Sequence, residues 1–302
     1  MPLVSVIMTS YNDEHNVGQA VSSVRLQDYE DFELVIVNDA STDKTPMILK
    51  TFAAQDHRIV LLHNDINLGP AASRNRAIEI ARGDLIAIMD ADDIAMPHRL
   101  SGQLTYLREH PDVDLLASWA IGINEGNEAI QLITGPIADS DIRRQLRCLR
   151  MPFVHSTLMF RRKLISLVGL YDARFYRSQD FHFCHRAVEK CKVALLPEFL
   201  VMYRLKSSSR SNCIRDRYRW CMSASWDCLK RYPTLIGAFN LLRSLFLSLL
   251  PGFVSMIFLR VVYWFRRSPR EDQKSDARCW ISKLEEQTAK TLQGVIKELK
   301  AV

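Results

Sequence analysis

Apolar and polar positions follow two alternating periods in the first part of the chain. Apolar runs with the length of buried strands occupy residues 3–8, 32–37, 59–62 and 84–89. Between these runs, apolar residues recur at helical spacing over residues 17–26, 44–54 and 71–82. Strands that are apolar on both faces and are separated by helices predict an α/β fold with a parallel sheet.

Three of the four predicted strands run directly into polar segments. These segments are Thr9 to Asn12, Asn38-Asp39 and Asp90 to Asp93. Ligands bind beyond the carboxyl ends of the strands in open parallel sheets, so we expect these three loops to share one edge. The pattern therefore predicts a polar binding site at that edge.

The last third of the chain has a different pattern. Pro251-Gly252 and Arg260 interrupt the apolar stretch 235–265, so neither half reaches the ~20 residues of a spanning helix. Short helices lying on an anionic membrane surface are our interpretation. A buried helical hairpin and a transmembrane span are the alternatives.

These breaks in the pattern divide the chain into three segments. Residues 1–232 form the main domain, 233–268 the apolar segment, and 269–302 a linker with a C-terminal helix. Apolar positions over 276–299 predict an amphipathic helix that packs on the body or forms a homodimer with a second copy. A further helix is predicted over 180–191.

Composition narrows the class of protein. The chain has 302 residues, 48% of them hydrophobic, and a formal net charge of +6, which favours anionic partners such as nucleotide phosphates. No motif supports nucleic-acid binding. The seven cysteines lack metal-type spacing, which is typical of reduced thiols in a cytoplasmic protein. No signal peptide is expected.

The acidic cluster Asp90-Ala91-Asp92-Asp93 carries the clearest chemistry. Its three carboxylates repel one another unless a cation lies among them. Mg²⁺ or Mn²⁺ takes oxygen ligands, commonly one or two carboxylates together with substrate phosphates. A solvated turn with helix-capping aspartates is the alternative interpretation.

Three other side chains have two interpretations each. Asp39 either accepts hydrogen bonds from a base or ribose, or closes a local turn. Arg74, which follows the flexible position Gly69, either binds a phosphate or forms a surface ion pair. His155 either contacts the sugar or acceptor, or is structural.

Together these segments resemble the family 2 glycosyltransferases, which have the GT-A fold. The matching strings are SVIMTSYND, FELVIVNDASTDKT, NLGPAASRN, IMDADD and RSQDF, within about residues 2–211. The resemblance implies a Rossmann-like, mostly parallel sheet flanked by helices, followed here by an α-helical C-terminal extension.

The resemblance also implies roles residue by residue. Asp180 matches the catalytic base, and Asp90 with Asp92 matches the metal-binding D-x-D pair. The implied nucleotide-sugar-binding residues are Thr9, Tyr11, Asn12, Asp39, Asn67, Gly69, Arg74, Asp90, Ala91, Asp92, His155 and Lys206.

Three positions depart from the family pattern. Asn38 and Gln179 each replace an acidic residue, which leaves Asp39 and Asp180 to act without that neighbour. Lys206 stands where a metal-binding histidine is common. A protonated lysine cannot bind a cation, so we expect Lys206 to contact the diphosphate directly.

The expected activity is inverting transfer of a sugar from a nucleotide-diphosphate donor, most simply a UDP-sugar. The acceptor is a hydroxyl of a glycan or a lipid-linked saccharide, the product is a β-glycoside, and the cofactor is Mg²⁺ or Mn²⁺. The expected location is cytoplasmic, peripheral on the inner face of the cell membrane. The alternatives are a non-catalytic nucleotide-sugar-binding protein at the membrane and a sugar nucleotidyltransferase.

Overall fold

The computed structural model describes residues 3–175, 178–205 and 272–283, together with positions 226, 229, 230, 238, 242 and 286. Lys206 and nearly all of the apolar segment 233–268 lie outside the described residues. The predictions for the membrane segment and for its boundaries therefore stay predictions.

The first half alternates strands and helices as the sequence predicts. Its elements are β1 (Val4–Ser10), α1 (Val17–Arg25), β2 (Phe32–Asn38), α2 (Thr45–Gln55), β3 (Ile59–His63), α3 (Pro70–Ile80) and β4 (Leu85–Asp90). These four strands are parallel in the order β3-β2-β1-β4. Both faces of β1, β2 and β4 are buried, which explains their unbroken apolar runs.

The second half extends the same sheet with mixed strand directions. Its elements are β5 (Ile94–Ala95), α4 (Arg99–Glu109), β6 (Val113–Ile123), β7 (Ala129–Ile133), α5 (Asp139–Arg147), β8 (Met159–Arg161), α6 (Lys163–Val168), α7 (Gln179–Val188) and β9 (Lys192–Arg204). The sheet continues from β4 through β8, β6 and β9 to β5, and β7 pairs with β6. β8 is antiparallel to both of its neighbours, whereas β6 and β9 are parallel.

Residues 272–283 form a further helix, α8, that packs on the body of the protein. Ala277 and Ile281 are buried against β5, β6 and β9, in a cluster that includes Ile94 and Met202. The indole N–H of Trp280 donates a hydrogen bond to the carbonyl of Ala95 at 2.9 Å. Of the two arrangements predicted for this helix, its described part adopts the one in which it packs on the body.

Membrane-spanning helices are a separate question. Within the part of the chain that the structure describes, no helix combines the length and the apolar character needed to cross a bilayer.

Candidate active site

Strand register brings the predicted polar loops together. Thr9 pairs with Val37 on one side and with Asp90 on the other, and Asn38 pairs with His63. The ends of β1, β2 and β4 are therefore adjacent, as the sequence predicts. We call residues 9–13, 38–45 and 90–93 the strand-end loops.

The first two strand-end loops are tied together through backbone N–H groups. Asn12 Oδ1 accepts a hydrogen bond from the Thr42 N–H at 2.8 Å, and Thr45 Oγ1 accepts one from the Asp13 N–H at 2.9 Å. Asn12 and Ala40 have positive φ angles of 53° and 57°. These local bonds fix two left-handed turns that would otherwise be unfavourable for residues with a side chain.

Beside these turns, two of the predicted nucleotide-binding residues differ in exposure. Tyr11 is 45% exposed, so its ring is presented to solvent at the edge of the sheet. Thr9 is half-buried at the end of β1. Both lie at the carboxyl end of β1, and their contact with a nucleotide stays a prediction.

Asp39 is buried and organises the loop that precedes α3. Its Oδ1 accepts hydrogen bonds from Asn64 Nδ2 at 2.7 Å and from the Leu68 N–H at 2.9 Å, and its Oδ2 accepts one from the Gly69 N–H at 2.9 Å. Gly69 has a φ of 83°, which a glycine adopts without strain, and Asn67 beside it is exposed. Asp39 thus shapes the predicted pocket from within, and its contact with a base or ribose stays a prediction.

Arg74 and Asp90 form the charged centre of the site. Arg74 Nη2 donates to Asp90 Oδ1 at 3.0 Å, while its guanidinium carbon lies 5.2 Å from the centre of the Tyr171 ring. Arg74 is 3% exposed, which excludes the surface ion pair considered above. Its Nη1 is buried without a hydrogen-bond partner among the described residues. A buried guanidinium donor of this kind suits an anionic oxygen.

Asp93 is the buried aspartate of the acidic cluster. It is fully buried, and its carboxylate is hydrogen-bonded to the Ser156 hydroxyl and to the Arg204 N–H, the latter at 2.8 Å. Ser156 also contacts Asp90 Oδ2 at 3.0 Å. Burial, reinforced by Asp92 and Asp90, raises the pKa of the Asp93 carboxyl well above its usual range. The three carboxylates therefore lie close enough for the charges of Asp92 and Asp90 to disfavour the charged form of Asp93.

Arg99 adds a positive charge beneath the same cluster. Its Nη2 donates to the carbonyl of Ile88 at 2.7 Å, inside the core behind β4. Burial lowers the pKa of Arg99 to about 10, although the carboxylates of Asp93 and Asp90 oppose the shift. Arg99 therefore stays protonated at neutral pH and balances part of the cluster's negative charge.

The donor set of the cluster fits a hard divalent cation that is completed by substrate oxygens. Asp90 is partly exposed and Asp92 half-buried, so both carboxylates border solvent, whereas Ala91 between them is buried. Among the described residues, no three His, Cys, Asp or Glu side chains converge into a metal-binding group. One or two carboxylates together with substrate phosphates are the usual environment of Mg²⁺.

Three ring side chains pack together next to Arg74. They are His155, Tyr171 and Phe183, and we call them the aromatic wall. His155 Nε2 lies 3.0 Å from the Tyr171 hydroxyl, and the two rings are T-shaped at 5.6 Å between centres. Tyr171 stacks on Phe183 with ring centres 4.4 Å apart. Burial lowers the pKa of His155 to about 3, and the positive charge of Arg74 adds to this shift. His155 is therefore a neutral imidazole.

Asp180 lies in the first turn of α7, beside the aromatic wall. Burial raises the pKa of the Tyr171 hydroxyl well above its usual range, and the nearby charges of Asp180 and Asp90 add to the rise while Arg74 opposes it. Asp180 also opposes the lowering of the His155 pKa. Both carboxylates thus act on the buried Tyr171 ring, so the predicted base and the acidic cluster border one site.

Sequence patterns did not reveal every residue of this site. Tyr171, Ser156 and Arg204 were not predicted to take part, and Asp93 was predicted only as a member of the acidic cluster. Ser156 is adjacent to the predicted residue His155, and Arg204 lies two positions before the predicted residue Lys206, so adjacency to a predicted residue was the available signal. Tyr171 lies 97 positions after Arg74 and has no such signal, since its role depends on long-range packing.

Known structures and sequences identify this architecture. A mannosyltransferase from Pyrobaculum calidifontis, solved with GDP-Man and Mn²⁺, superposes with a TM-score of 0.61 at 18% identity, over 99% of this chain and 87% of that one. That likeness establishes the fold, which is of the GT-A type. Residues 5–168 match the family model described as Glycosyl transferase family 2. The chain belongs to glycosyltransferase family 2.

Two relatives support the assignment. An uncharacterized glycosyltransferase of Methanocaldococcus jannaschii is 33% identical over 273 residues, which cover 86% of this chain and 93% of that protein. The Escherichia coli enzyme named UDP-Glc:alpha-D-GlcNAc-diphosphoundecaprenol beta-1,3-glucosyltransferase is 41% identical over 105 residues, which cover 35% of this chain and 41% of that enzyme. The prediction of family and fold from the sequence is confirmed.

Proposed function

We propose that the protein transfers a sugar from a UDP-sugar to a hydroxyl group of a glycan or lipid-linked saccharide in polysaccharide biosynthesis, with inversion to a β-glycoside. The observation that carries the proposal is that a guanidinium group and a carboxylate lie beside the same aromatic wall. Arg74 presents a buried guanidinium nitrogen without a partner among the described residues, and the charges of Arg74 and Asp180 both act on the buried His155 ring. Arg74 thus suits the anionic leaving group, and Asp180 suits proton removal from the acceptor.

On the donor side, the strand-end loops bind the nucleotide. Asp39 holds the loop of Asn67 and Gly69 in place, and Tyr11 is exposed where a base would lie. Asp92 and Asp90 would hold Mg²⁺ or Mn²⁺, which when bound neutralises charge on the diphosphate. Arg74 adds a direct hydrogen-bond donor to the same oxygens. Lys206 is proposed for this role as well.

On the acceptor side, Asp180 acts as the general base. The acceptor oxygen forms its bond to the anomeric carbon while the bond from that carbon to the diphosphate oxygen breaks. The proton of the acceptor hydroxyl passes to Asp180, and the bonding electron pair leaves with UDP. A single displacement inverts the anomeric centre, and the transition state has oxocarbenium character.

The proposed location is the cytoplasmic face of the cell membrane. The E. coli relative is named for an acceptor carried on diphosphoundecaprenol, a lipid. The chain's net charge of +6 suits an anionic membrane surface. Flotation with vesicles of anionic lipid, and its loss on deletion of residues 233–268, is the measurement for this part of the proposal.

A donor screen tests the proposed activity. The purified protein is melted with UDP-, GDP- and dTDP-sugars, with and without Mn²⁺, and nucleotide release is followed over time. We expect the largest stabilisation with one UDP-sugar and Mn²⁺, followed by slow release of UDP. Stabilisation without any UDP release would favour a non-catalytic sugar-nucleotide-binding protein, whereas metal-independent melting with every donor would contradict the metal site.

A further inference from the structure

A second concave surface lies beside the aromatic wall. It is a groove of about 530 Å³ between β7, α5 and the segment that leads to His155. The side chains that matter for its chemistry are Gln131, Thr134, Gln145, Met151, Pro152 and Phe153. No charged side chain of the described residues lines it.

Gln131 presents its side-chain amide to this groove. The residue is 5% exposed, it lines the groove, and none of the hydrogen bonds among the described residues uses its side-chain amide. The amide is therefore open to water or to a ligand that enters the groove.

The groove is joined to the reaction centre by a short and closely packed segment. Phe153 precedes His155 by two positions, and His155 contacts Tyr171 in the aromatic wall. Next to the lining residue Thr134, a Cβ on Gly135 would lie 2.2 Å from the carbonyl oxygen of Pro152, so these two backbone segments pack together with no room for a side chain.

The lining narrows the class of ligand. Two amides and a hydroxyl supply neutral donors and acceptors, and Met151 with Pro152 supplies an apolar surface. Sugar hydroxyls and the apolar faces of pyranose rings need this combination, whereas a phosphate needs cationic partners. We propose that this groove binds an uncharged pyranose unit of the acceptor, next to the unit whose hydroxyl reacts. This inference rests on the proposed function and names an acceptor subsite for it.

Saccharide binding by two amide variants tests the inference. Gln131→Leu and Gln145→Leu keep the side-chain size and remove the amide, and Gln55→Leu replaces an exposed glutamine on α2 as the control. The probes are methyl glycosides of glucose, galactose and N-acetylglucosamine, and chitobiose. Their binding in the presence of UDP and Mn²⁺ is followed by saturation-transfer NMR. We expect at least one probe to bind, and each amide variant to weaken it about fivefold while the control leaves it unchanged.

Each other outcome contradicts the inference. Equal binding by the wild type and both amide variants places the saccharide elsewhere. A wild-type protein that binds UDP but none of the probes also overturns the subsite while leaving the proposed function intact. A protein that binds neither UDP nor any probe overturns the proposed function itself. Gln145→Leu keeps the test valid if Gln131→Leu fails to fold, since Gln145 is only half-buried on α5.

Discussion

The strand-end loops and the aromatic wall face each other, but different forces hold them. In the loops, side-chain oxygens accept hydrogen bonds from backbone N–H groups, as Asn12 does from Thr42 and Asp39 from Gly69. In the wall, ring packing dominates, and one polar contact joins His155 to Tyr171. The loops are thus set by polar residues near one another in sequence or register, whereas the wall is set by burial.

This difference predicts different consequences of substitution. Removing a loop acceptor leaves buried N–H groups without partners, which lowers stability and alters donor binding together. Changes in or beside the wall alter charge at the reacting atoms and the dependence of stability on pH, and leave the loops in place. The following substitutions separate the two regions.

The largest effect is expected beside the wall, from Asp180→Asn. The amide cannot take the acceptor's proton, so the rate of sugar transfer falls by about 10²–10⁴-fold. The melting shift with UDP-sugar and Mn²⁺ stays at the wild-type value, because the loops are unchanged. Asp141→Asn is the matched control, since Asp141 is also an acidic residue in the first turn of a helix. Transfer by Asp180→Asn at the wild-type rate would rule out the base assignment.

In the strand-end loops, the corresponding substitution is Asp39→Asn. An amide turns one of the two acceptor oxygens into a donor, which then faces the N–H of Leu68 or Gly69. We expect the free energy of unfolding to fall by about 2 kcal/mol, measured in urea, and UDP binding to weaken with it. Asp65→Asn, at an exposed position nearby, is the control. Weaker UDP binding without any loss of stability would instead indicate that Asp39 acts only on the nucleotide.

The same difference explains what the sequence could predict. The apolar runs gave β1 to β4 and α1 to α3 nearly to the residue, because β1, β2 and β4 are buried on both faces and β3 keeps an apolar run at the edge of the sheet. The polar segments after them gave the strand-end loops, because parallel strands end at a common edge. β8 was not predicted, since it has three residues and its pairing joins distant segments. Tyr171 was missed for a similar reason, because its partners lie far away in sequence.

A smaller effect comes from His155 in the aromatic wall. Its folded pKa of about 3 lies below the usual 6.5, so between these values the unfolded chain binds more protons than the folded one. Stability is therefore lost as the pH falls from about 6.5 toward 3. His155→Gln removes this contribution, so the gap in unfolding free energy between variant and wild type should narrow from pH 7 to pH 5.

Urea unfolding at the two pH values measures this gap, and His57→Gln, which changes an exposed histidine, is the control. A gap that is the same at both pH values would mean that His155 has the same pKa in the folded and the unfolded protein, so that its imidazole is protonated at pH 5 in both. Its contact with Tyr171 would then require a different assignment of donor and acceptor.

The smallest effect is expected from Trp280→Phe in α8, and it should act on the loops alone. The indole N–H donates to the carbonyl of Ala95 in β5, which begins directly after Asp93. The hydrogen bond therefore stabilises the position of the end of loop 90–93. Phenylalanine keeps one aromatic ring and removes this hydrogen bond, which contributes about 1 kcal/mol, together with the packing of the second indole ring. Trp226→Phe, at a position that is 53% exposed, should leave the free energy of unfolding unchanged.

The hydrogen bond of Trp280 contacts β5 and not the aromatic wall. Trp280→Phe should therefore weaken UDP binding slightly, while the pH dependence that arises from His155 stays the same. A change in that pH dependence would mean that the two regions are coupled through the sheet.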